Sequence, residues 1–357
     1  MTKIHQVLPT IMQGDAIGNE VIEIRKTLNR WGYTSEIYAE HIHHNASKIA
    51  KPYTKLFEDK DAVLLYHYSI GSDLTSLINR LPNPLGIIYH NITPHHYFLG
   101  INETLVRLLK KGREELSSLR DKARIALADS EFNRQELVQL GFRNTGVLPI
   151  LIDFSRYATP ADHKMIEQFD DDSVNILFVG RFTPNKKLED VIKIFGYYQR
   201  CINSNSRLFL VGSYLGTEVY FQFLVSLVRK LGLKNVYFIT DASGGPCETS
   251  KLVACYRLAD VFITMSEHEG FCVPLIESMH FGLPILARSA AAIPFILDKA
   301  GILILDRNYA EIAELVQIIV EDRALRRRII EKQFERLQNF SREKAEASLR
   351  AFLDQLI

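Results

Sequence analysis

The segment Ser266-Glu267-His268-Glu269-Gly270-Phe271-Cys272-Val273-Pro274-Leu275-Ile276-Glu277 joins a strand-like run to a helix-like one. Gly270 permits an unusual turn or a close approach of backbone to a ligand. Pro274 suits a first helical turn. The amides around Phe271, Cys272 and Val273 would then face an anion, as helix starts do. Glu269 and Glu277 flank that position. A helix rises ~1.5 Å per residue, so eight residues separate them by roughly 12 Å. That span suits a ligand with hydroxyls at both ends and a phosphate between. A second segment, Phe178-Val179-Gly180-Arg181-Phe182-Thr183-Pro184-Asn185-Lys186-Lys187, leaves a strand at Gly180 and enters a helix near Leu188. Arg181 offers a rigid fork for phosphate oxygens, and Lys186 adds a point charge. Ligands of open α/β sheets sit beyond strand C-termini, where this loop lies. Taken singly, each Glu reads as a helix residue in solvent and each cation as a loop residue. Taken together they read as an anion site with hydroxyl acceptors.

The first segment resembles the Glu-x7-Glu signature of retaining glycosyltransferases of family four, which have the GT-B architecture. The resemblance implies that Glu269 contacts the donor sugar and Glu277 the ribose of the nucleotide. The second segment resembles that family's Gly-Arg followed by Lys, which hold the diphosphate; here these are Gly180, Arg181 and Lys186. Segment 268–274 also looks like stretches of mannosyltransferases that use GDP-mannose. The implied reaction is sugar transfer from a nucleotide sugar with retention at the anomeric carbon. The nucleotide sugar is a substrate, and no cofactor or metal is called for. The implied acceptor is a glycan or a lipid-linked hydroxyl, in polysaccharide or glycolipid synthesis.

Weaker signals lie in the first half. Gln13-Gly14-Asp15-Ala16-Ile17-Gly18 follows the first strand and precedes a helix. Gly14 and Gly18 suit either close approach to phosphate or an ordinary strand-helix turn. The spacing is not GxGxxG, and Glu40 is the only acidic candidate after the second strand. His90, in Tyr89-His90-Asn91-Ile92-Thr93-Pro94, resembles the family's strand-end His near the transferred sugar. Ser69, at the end of the preceding strand, and Ser130, in a helix cap, are acceptor-side candidates. Asp170-Asp171-Asp172 invites a metal reading, but it precedes a strand and lies away from strand C-termini. His43-His44 and His95-His96 have no matching ligand pattern for zinc.

These motifs need a scaffold of strands and helices in alternation. Strand-like runs fall at 4–8, 35–39, 62–67, 86–90, 124–128 and 145–149, then at 174–179, 207–211, 236–239, 261–265, 284–287 and 302–305. Most are short and apolar on both faces, as buried parallel strands are. Helical patterns fall at 20–31, 131–140, 187–199, 219–231 and 310–321. The alternation predicts α/β with two parallel sheets, one per half, and the resemblance implies GT-B: two Rossmann-like doubly wound parallel-sheet domains facing across a cleft. The expected division is 1–155 for the acceptor domain, 156–173 for a polar linker and 174–340 for the donor domain. A last helix over 341–357 should pack back on the first domain.

Composition sets the outer bounds. The chain has 357 residues, 43 Lys and Arg against 42 Asp and Glu, so a net charge of +1 excludes a globally basic nucleic-acid binder. Four Cys without disulfide spacing fit a reduced, cytoplasmic setting. No apolar run reaches membrane-spanning length. The stretch 105–127 holds seven Lys and Arg against three acids. It reads as a basic amphipathic helix, either resting on anionic lipid at the inner face of the membrane or covering the core. Rivals are another GT-B enzyme, such as a nucleotide-sugar epimerase or an inverting transferase, and a silent GT-B subunit. A nicotinamide dehydrogenase would need the missing GxGxxG.

Overall fold

A computed structural model describes residues 2–357, leaving aside the side chains of Phe57 and Glu58. The chain divides into two compact units. The first takes the chain up to Leu99, then Glu103–Asp153 and Phe340–Ile357; the second takes Gly100–Asn102 and Phe154–Asn339.

The first unit runs β1 (Ile4–Ile11), α1 (Ala16–Arg30), β2 (Ile37–Ile42), β3 (Lys51–Pro52), β4 (Val63–Tyr68), α2 (Asp73–Arg80), β5 (Leu85–Tyr89), α3 (Glu103–Leu116), β6 (Ala123–Ala128), α4 (Glu131–Gln139) and β7 (Thr145–Val147). The second runs α5 (His163–Phe169), β8 (Val174–Val179), α6 (Leu188–Tyr197), β9 (Ser206–Val211), α7 (Glu218–Lys230), β10 (Val236–Ile239), α8 (Thr249–Leu258), β11 (Val261–Thr264), α9 (Val273–His280), β12 (Ile285–Arg288), α10 (Ile293–Leu297), β13 (Ile302–Ile304), α11 (Tyr309–Glu321) and α12 (Arg323–Leu337). The closing helix, α13 (Arg342–Leu356), belongs to the first unit.

Both sheets are parallel throughout. Their orders are β3-β2-β1-β4-β5-β6-β7 and β10-β9-β8-β11-β12-β13. Each reverses direction once, between β1 and β4 and between β8 and β11. That is the doubly wound order, and its switch point is where ligands bind. The strands are buried on both faces because helices cover both, so Val, Ile, Leu and Phe fill them without alternation. Two helices of the first unit start where a side chain supplies the missing acceptor: Asp15 accepts from Gly18 N at 2.5 Å, and Ser72 from Leu74 N at 3.1 Å.

Three stretches differ from expectation. Residues 156–173 contain a 3-10 turn and α5, with Tyr157 and Phe169 buried in the second unit. Their polarity is real, but two aromatics at those positions pin the segment down. The basic stretch 105–127 is not one helix. It ends at Leu116, turns through Ser117–Leu119, and enters β6. Ser117 and Ser118 hydroxyls donate to the Glu114 and Glu115 carbonyls, which competes with continuing the helix. Lys111 pairs with Asp73 at 2.6 Å, and Arg113 pairs with Glu136. The third difference is β3, a two-residue edge strand too short to carry a periodic signal.

Candidate functional site

At the switch point of the second sheet, the loop after β8 meets the loop after β11. Glu267 N donates to the Asn185 carbonyl at 2.8 Å, and Asn185 Nδ2 donates to the His268 carbonyl at 3.0 Å. These bonds bring Lys186 to Glu269, and the ammonium pairs directly with the carboxylate. Arg181, exposed on the same loop, donates to the Leu215 carbonyl at 3.2 Å. Behind them, Glu267 pairs with Lys187 at 3.5 Å and with Arg307. Anionic and cationic groups therefore alternate around one loop cluster.

Backbone conformation is unusual at the same place. Lys187, which caps α6, has φ +53°, and Cys272, which caps α9, has φ +75°. A left-handed non-glycine residue costs about 1–3 kcal/mol, and such strain concentrates at functional sites. Both helices that follow the two loops begin from one. Gly180 has φ +154°, and its carbonyl lies against Gly212, where an added Cβ would meet that oxygen at 1.9 Å. Gly212 was not singled out from sequence; its role shows only once β8 and β9 are neighbours. The Cys272 thiol is held protonated, first by burial and then by the nearby Glu269 carboxylate. Gly270, Phe271 and Val273 complete the turn into α9, whose second residue is Pro274.

Glu277, one turn into α9, is buried. Its two oxygens each accept a phenol: Tyr157 donates to Oε1, and Tyr256 to Oε2 at 2.6 Å. Neither tyrosine was found from sequence. Tyr157 lay in the expected linker, and Tyr256 sits on α8, which has a weak amphipathic pattern.

In the first unit the glycines of the β1–α1 turn have internal reasons. Gly14 has φ +100° with open space around it, whereas a Cβ on Gly18 would sit 1.9 Å from the Met12 carbonyl. Gly18 is thus needed by the chain's own backbone. Ser130 accepts from Asn133 N at 3.3 Å as the cap of α4, and Ser69 lies half-buried in the bend after β4. Glu40 accepts a hydrogen bond from Ser72.

His90 does not stand at an open strand end. Its ring is buried and both nitrogens are engaged: Nε2 lies 2.9 Å from His67 Nδ1, and Nδ1 lies 3.0 Å from Asp129 Oδ2. The protons of this chain can be placed. Gln6 Nε2 donates to the Val21 carbonyl, so Gln6 Oε1 must accept from His67 Nε2–H. His67 Nδ1 then accepts from His90 Nε2–H, and His90 Nδ1–H donates to Asp129. The result is a neutral His67 and a His90 imidazolium. Burial lowers the His67 pKa, with the His90 charge adding to the effect. Burial also opposes charge on His90, but Asp129, Glu20 and Asp15 carry its pKa up to about 9. Glu20, 3.6 Å from His90 Nδ1, is fully buried, and burial drives its carboxyl well above the ordinary range.

Glu20, His67 and His90 place one oxygen and two nitrogens within 4.8 Å of one another. The spacing fits a shared proton better than a metal. Two nitrogens on one tetrahedral zinc lie about 3.3 Å apart, from Zn–N of about 2.0–2.1 Å. Here they are at 2.9 Å, the length of a hydrogen bond. Sequence reasoning missed this chain because its members lie on β1, α1, β4 and the ends of β5 and β6, which only the strand order makes neighbours.

Residues 161–336 match the family model described as glycosyl transferases group 1. Among curated proteins, the chain is 32% identical over 156 residues to trehalose synthase of Pyrococcus horikoshii, covering 41% of this chain and 36% of that protein. It is 25% identical over 169 residues to D-inositol 3-phosphate glycosyltransferase of Corynebacterium glutamicum, covering 46% and 40%. The chain thus spans about two fifths of the length of the curated relatives it matches. Among solved structures, sucrose-phosphate synthase from Thermosynechococcus elongatus superposes with a TM-score of 0.73 at 17% identity, covering 100% of this chain and 99% of that one. Two parallel-sheet α/β units with such neighbours make the fold GT-B. Over residues 161–336, most of the second unit is therefore similar to glycosyl transferases group 1, on a GT-B fold.

Proposed function

We propose that the protein is a retaining glycosyltransferase. It moves a sugar from a nucleotide-sugar donor to a hydroxyl of a glycan or lipid-linked acceptor. The observation that carries this reading is the pairing of Lys186 with Glu269, which joins the loop after β8, where Arg181 lies, to the loop that leads into α9, where Glu277 lies. Arg181, Lys186 and the amides at the start of α9 would hold the diphosphate, Glu269 the sugar and Glu277 the ribose. Gly180 and Gly270 would let backbone approach the phosphates.

In the step itself, the bond from the anomeric carbon to the phosphate oxygen breaks. The acceptor oxygen forms its bond on the same face. The acceptor proton goes to the leaving diphosphate. Cations and amides already in place stabilise the charge that develops there, the largest usual contribution to such catalysis. With the lysine and arginine in that role, the step needs no divalent ion. The pairing of Lys186 with Glu269 is then a resting arrangement that a diphosphate would compete with. His90 would contribute from the first unit only by releasing one of its internal hydrogen bonds.

GDP-mannose is the donor that the 268–274 segment favours. Exposed Arg107 and Lys110 on α3 would give an anionic membrane surface its contact. Among the described residues no helix is long and apolar enough to cross a membrane. The direct test is a thermal-shift panel of UDP-, GDP- and ADP-sugars, since a ligand of the native state raises the melting temperature. Turnover of the binding donor with acceptor, followed by NMR of the product anomer, then reads the stereochemistry. No shift with any donor, or an inverted product, refutes the reading.

A further inference from the structure

We propose that Tyr157 and Tyr256 are positioning residues that aim Glu277 at the ribose diol, so that the protein's preference for ribonucleotides depends on the two phenols as well as on the carboxylate. The proposal rests on the reading of Glu277 given above.

Helix α9 presents Glu277, His280 and Phe281 at spacings of three and four residues, on one face. The two tyrosines dock on that face. Tyr256 stacks on Phe281 with centroids 4.8 Å apart and planes 3° apart. Tyr157 meets Phe281 edge-on at 5.6 Å and lies 5.8 Å from His280, which stacks on Phe154 at 4.7 Å. Ring packing therefore fixes both hydroxyls, and each donates to a different oxygen of Glu277. Both phenols are buried.

The count of lone pairs gives the consequence. An ionised carboxylate has about four acceptor sites, two on each oxygen. One on each is taken by a tyrosine, which leaves one on each for a ligand. Two parallel sites on adjacent oxygens match the two neighbouring hydroxyls of a ribose. The phenols also give the buried oxygens of Glu277 hydrogen-bond partners, as buried polar groups require. Tyr256 remains a donor, because burial and then the Glu277 charge push its own pKa well above the ordinary value.

The test is calorimetry with UDP and 2′-deoxy-UDP, and with GDP and 2′-deoxy-GDP, on the full chain. The native protein should bind one ribonucleotide more tightly than its deoxy counterpart. Tyr256→Phe and Tyr157→Phe keep the rings and remove only the hydroxyls. Each should weaken the ribonucleotide about tenfold, the scale of a hydrogen bond to a charged group, and shift the deoxynucleotide less than about twofold. The ratio between the two ligands should collapse, which a loss of folding alone would not do. If Tyr256→Phe does not fold, Tyr157→Phe carries the test. A ratio kept by the Phe variants but lost in Glu277→Gln overturns this inference alone. A ratio unchanged in Glu277→Gln, or binding of neither ribonucleotide, removes the ribose reading and the inference together. Equal weakening of both ligands in the Phe variants shows a purely structural role and overturns the inference.

Discussion

The residue that decides most in the second unit is Lys186, because its ammonium stands against a buried carboxylate. Lys186→Ala removes both a phosphate partner and the counter-charge of Glu269. Turnover should fall about 10²–10³, the scale for one charge-stabilising donor. Stability should fall as well, by up to about 3–5 kcal/mol, because breaking a buried pair strands its partner. The two effects separate in the double variant Lys186→Met with Glu269→Gln. It should regain most of the melting temperature and none of the turnover, as read by denaturation and donor assay. Arg181 is exposed and donates to the Leu215 carbonyl, so Arg181→Ala should lose turnover with stability nearly intact. Turnover in EDTA should equal turnover in Mg²⁺, and dependence on the ion would refute the cation-only account. In the first unit the His67–His90–Asp129 chain makes stability depend on pH. His90 has a pKa raised above its ordinary 6.5, so its contribution is complete below pH 6.5 and is lost as pH rises towards about 9. Glu20, also raised, favours the folded state less as pH rises above its ordinary 4.5. His67 is lowered, so its contribution is present above pH 6.5 and lost below it. Above pH 6.5 the first two act together and the third is silent. Urea unfolding should therefore show the protein weakening by several kcal/mol between pH 6.5 and pH 9, one proton being about 1.4 kcal/mol per pH unit. A flat profile across that window would mean the chain carries no charge.

At the scale of elements, the turns out of strands separate glycines by what they do. Gly18→Ala and Gly212→Ala each drive a Cβ to 1.9 Å from a backbone oxygen, of Met12 and of Gly180. Neither oxygen can retreat without moving a strand end. Gly14→Ala meets open space and costs only its positive φ, about 1–3 kcal/mol. Thermal denaturation should rank Gly14→Ala as the mildest of the three. Gly212→Ala should also depress donor binding, because it displaces the Gly180 carbonyl beside Arg181. Sequence alone could not produce this ranking. It read Gly14 and Gly18 as equivalent candidates for a phosphate turn, since both precede a helix, and it had no reason to see Gly212. What it did read well are loops whose chemistry is local: 178–187 and 266–277 each run from a strand to a helix with their charged residues in one stretch. Residues that meet through the sheet order were invisible. Tyr157, Tyr256 and His67 each look like ordinary apolar-face residues until β4, β5, α8 and α9 are placed.

At the scale of the molecule, the chain passes between its units at four places, twice around the short Gly100–Asn102 excursion, once at Asp153 and once at Phe340. The last crossing returns α13 to the first unit, and its seat is visible in the strands it covers. A Cβ on Gly86 of β5 would come within 2.8 Å of Leu356, and one on Gly146 of β7 within 2.4 Å of the Phe352 ring. Glycine at these two strand positions makes room for the helix. Ala345, Leu349, Leu353 and Leu356 bury one stripe of α13 beside Ile4, Leu65 and Leu127. Arg342 pairs with Glu23 at 3.0 Å, and Arg30 pairs with Glu346, so α1 and α13 are also joined by charge. The tail is thus part of the first unit's core, although 186 residues of the second unit separate it from the rest (residues 154–339). Leu349 is fully buried, so Leu349→Ala should cost about 2–5 kcal/mol, the range for a leucine removed from a packed core. The loss should fall on the first unit: amide exchange should quicken in β1, β4 and β6. Exchange in β8 and β11, and affinity for the nucleoside diphosphate, should stay as they were. Equal loosening of both sheets would show that α13 supports the two units alike and that the division drawn at Phe340 does not describe how the chain unfolds.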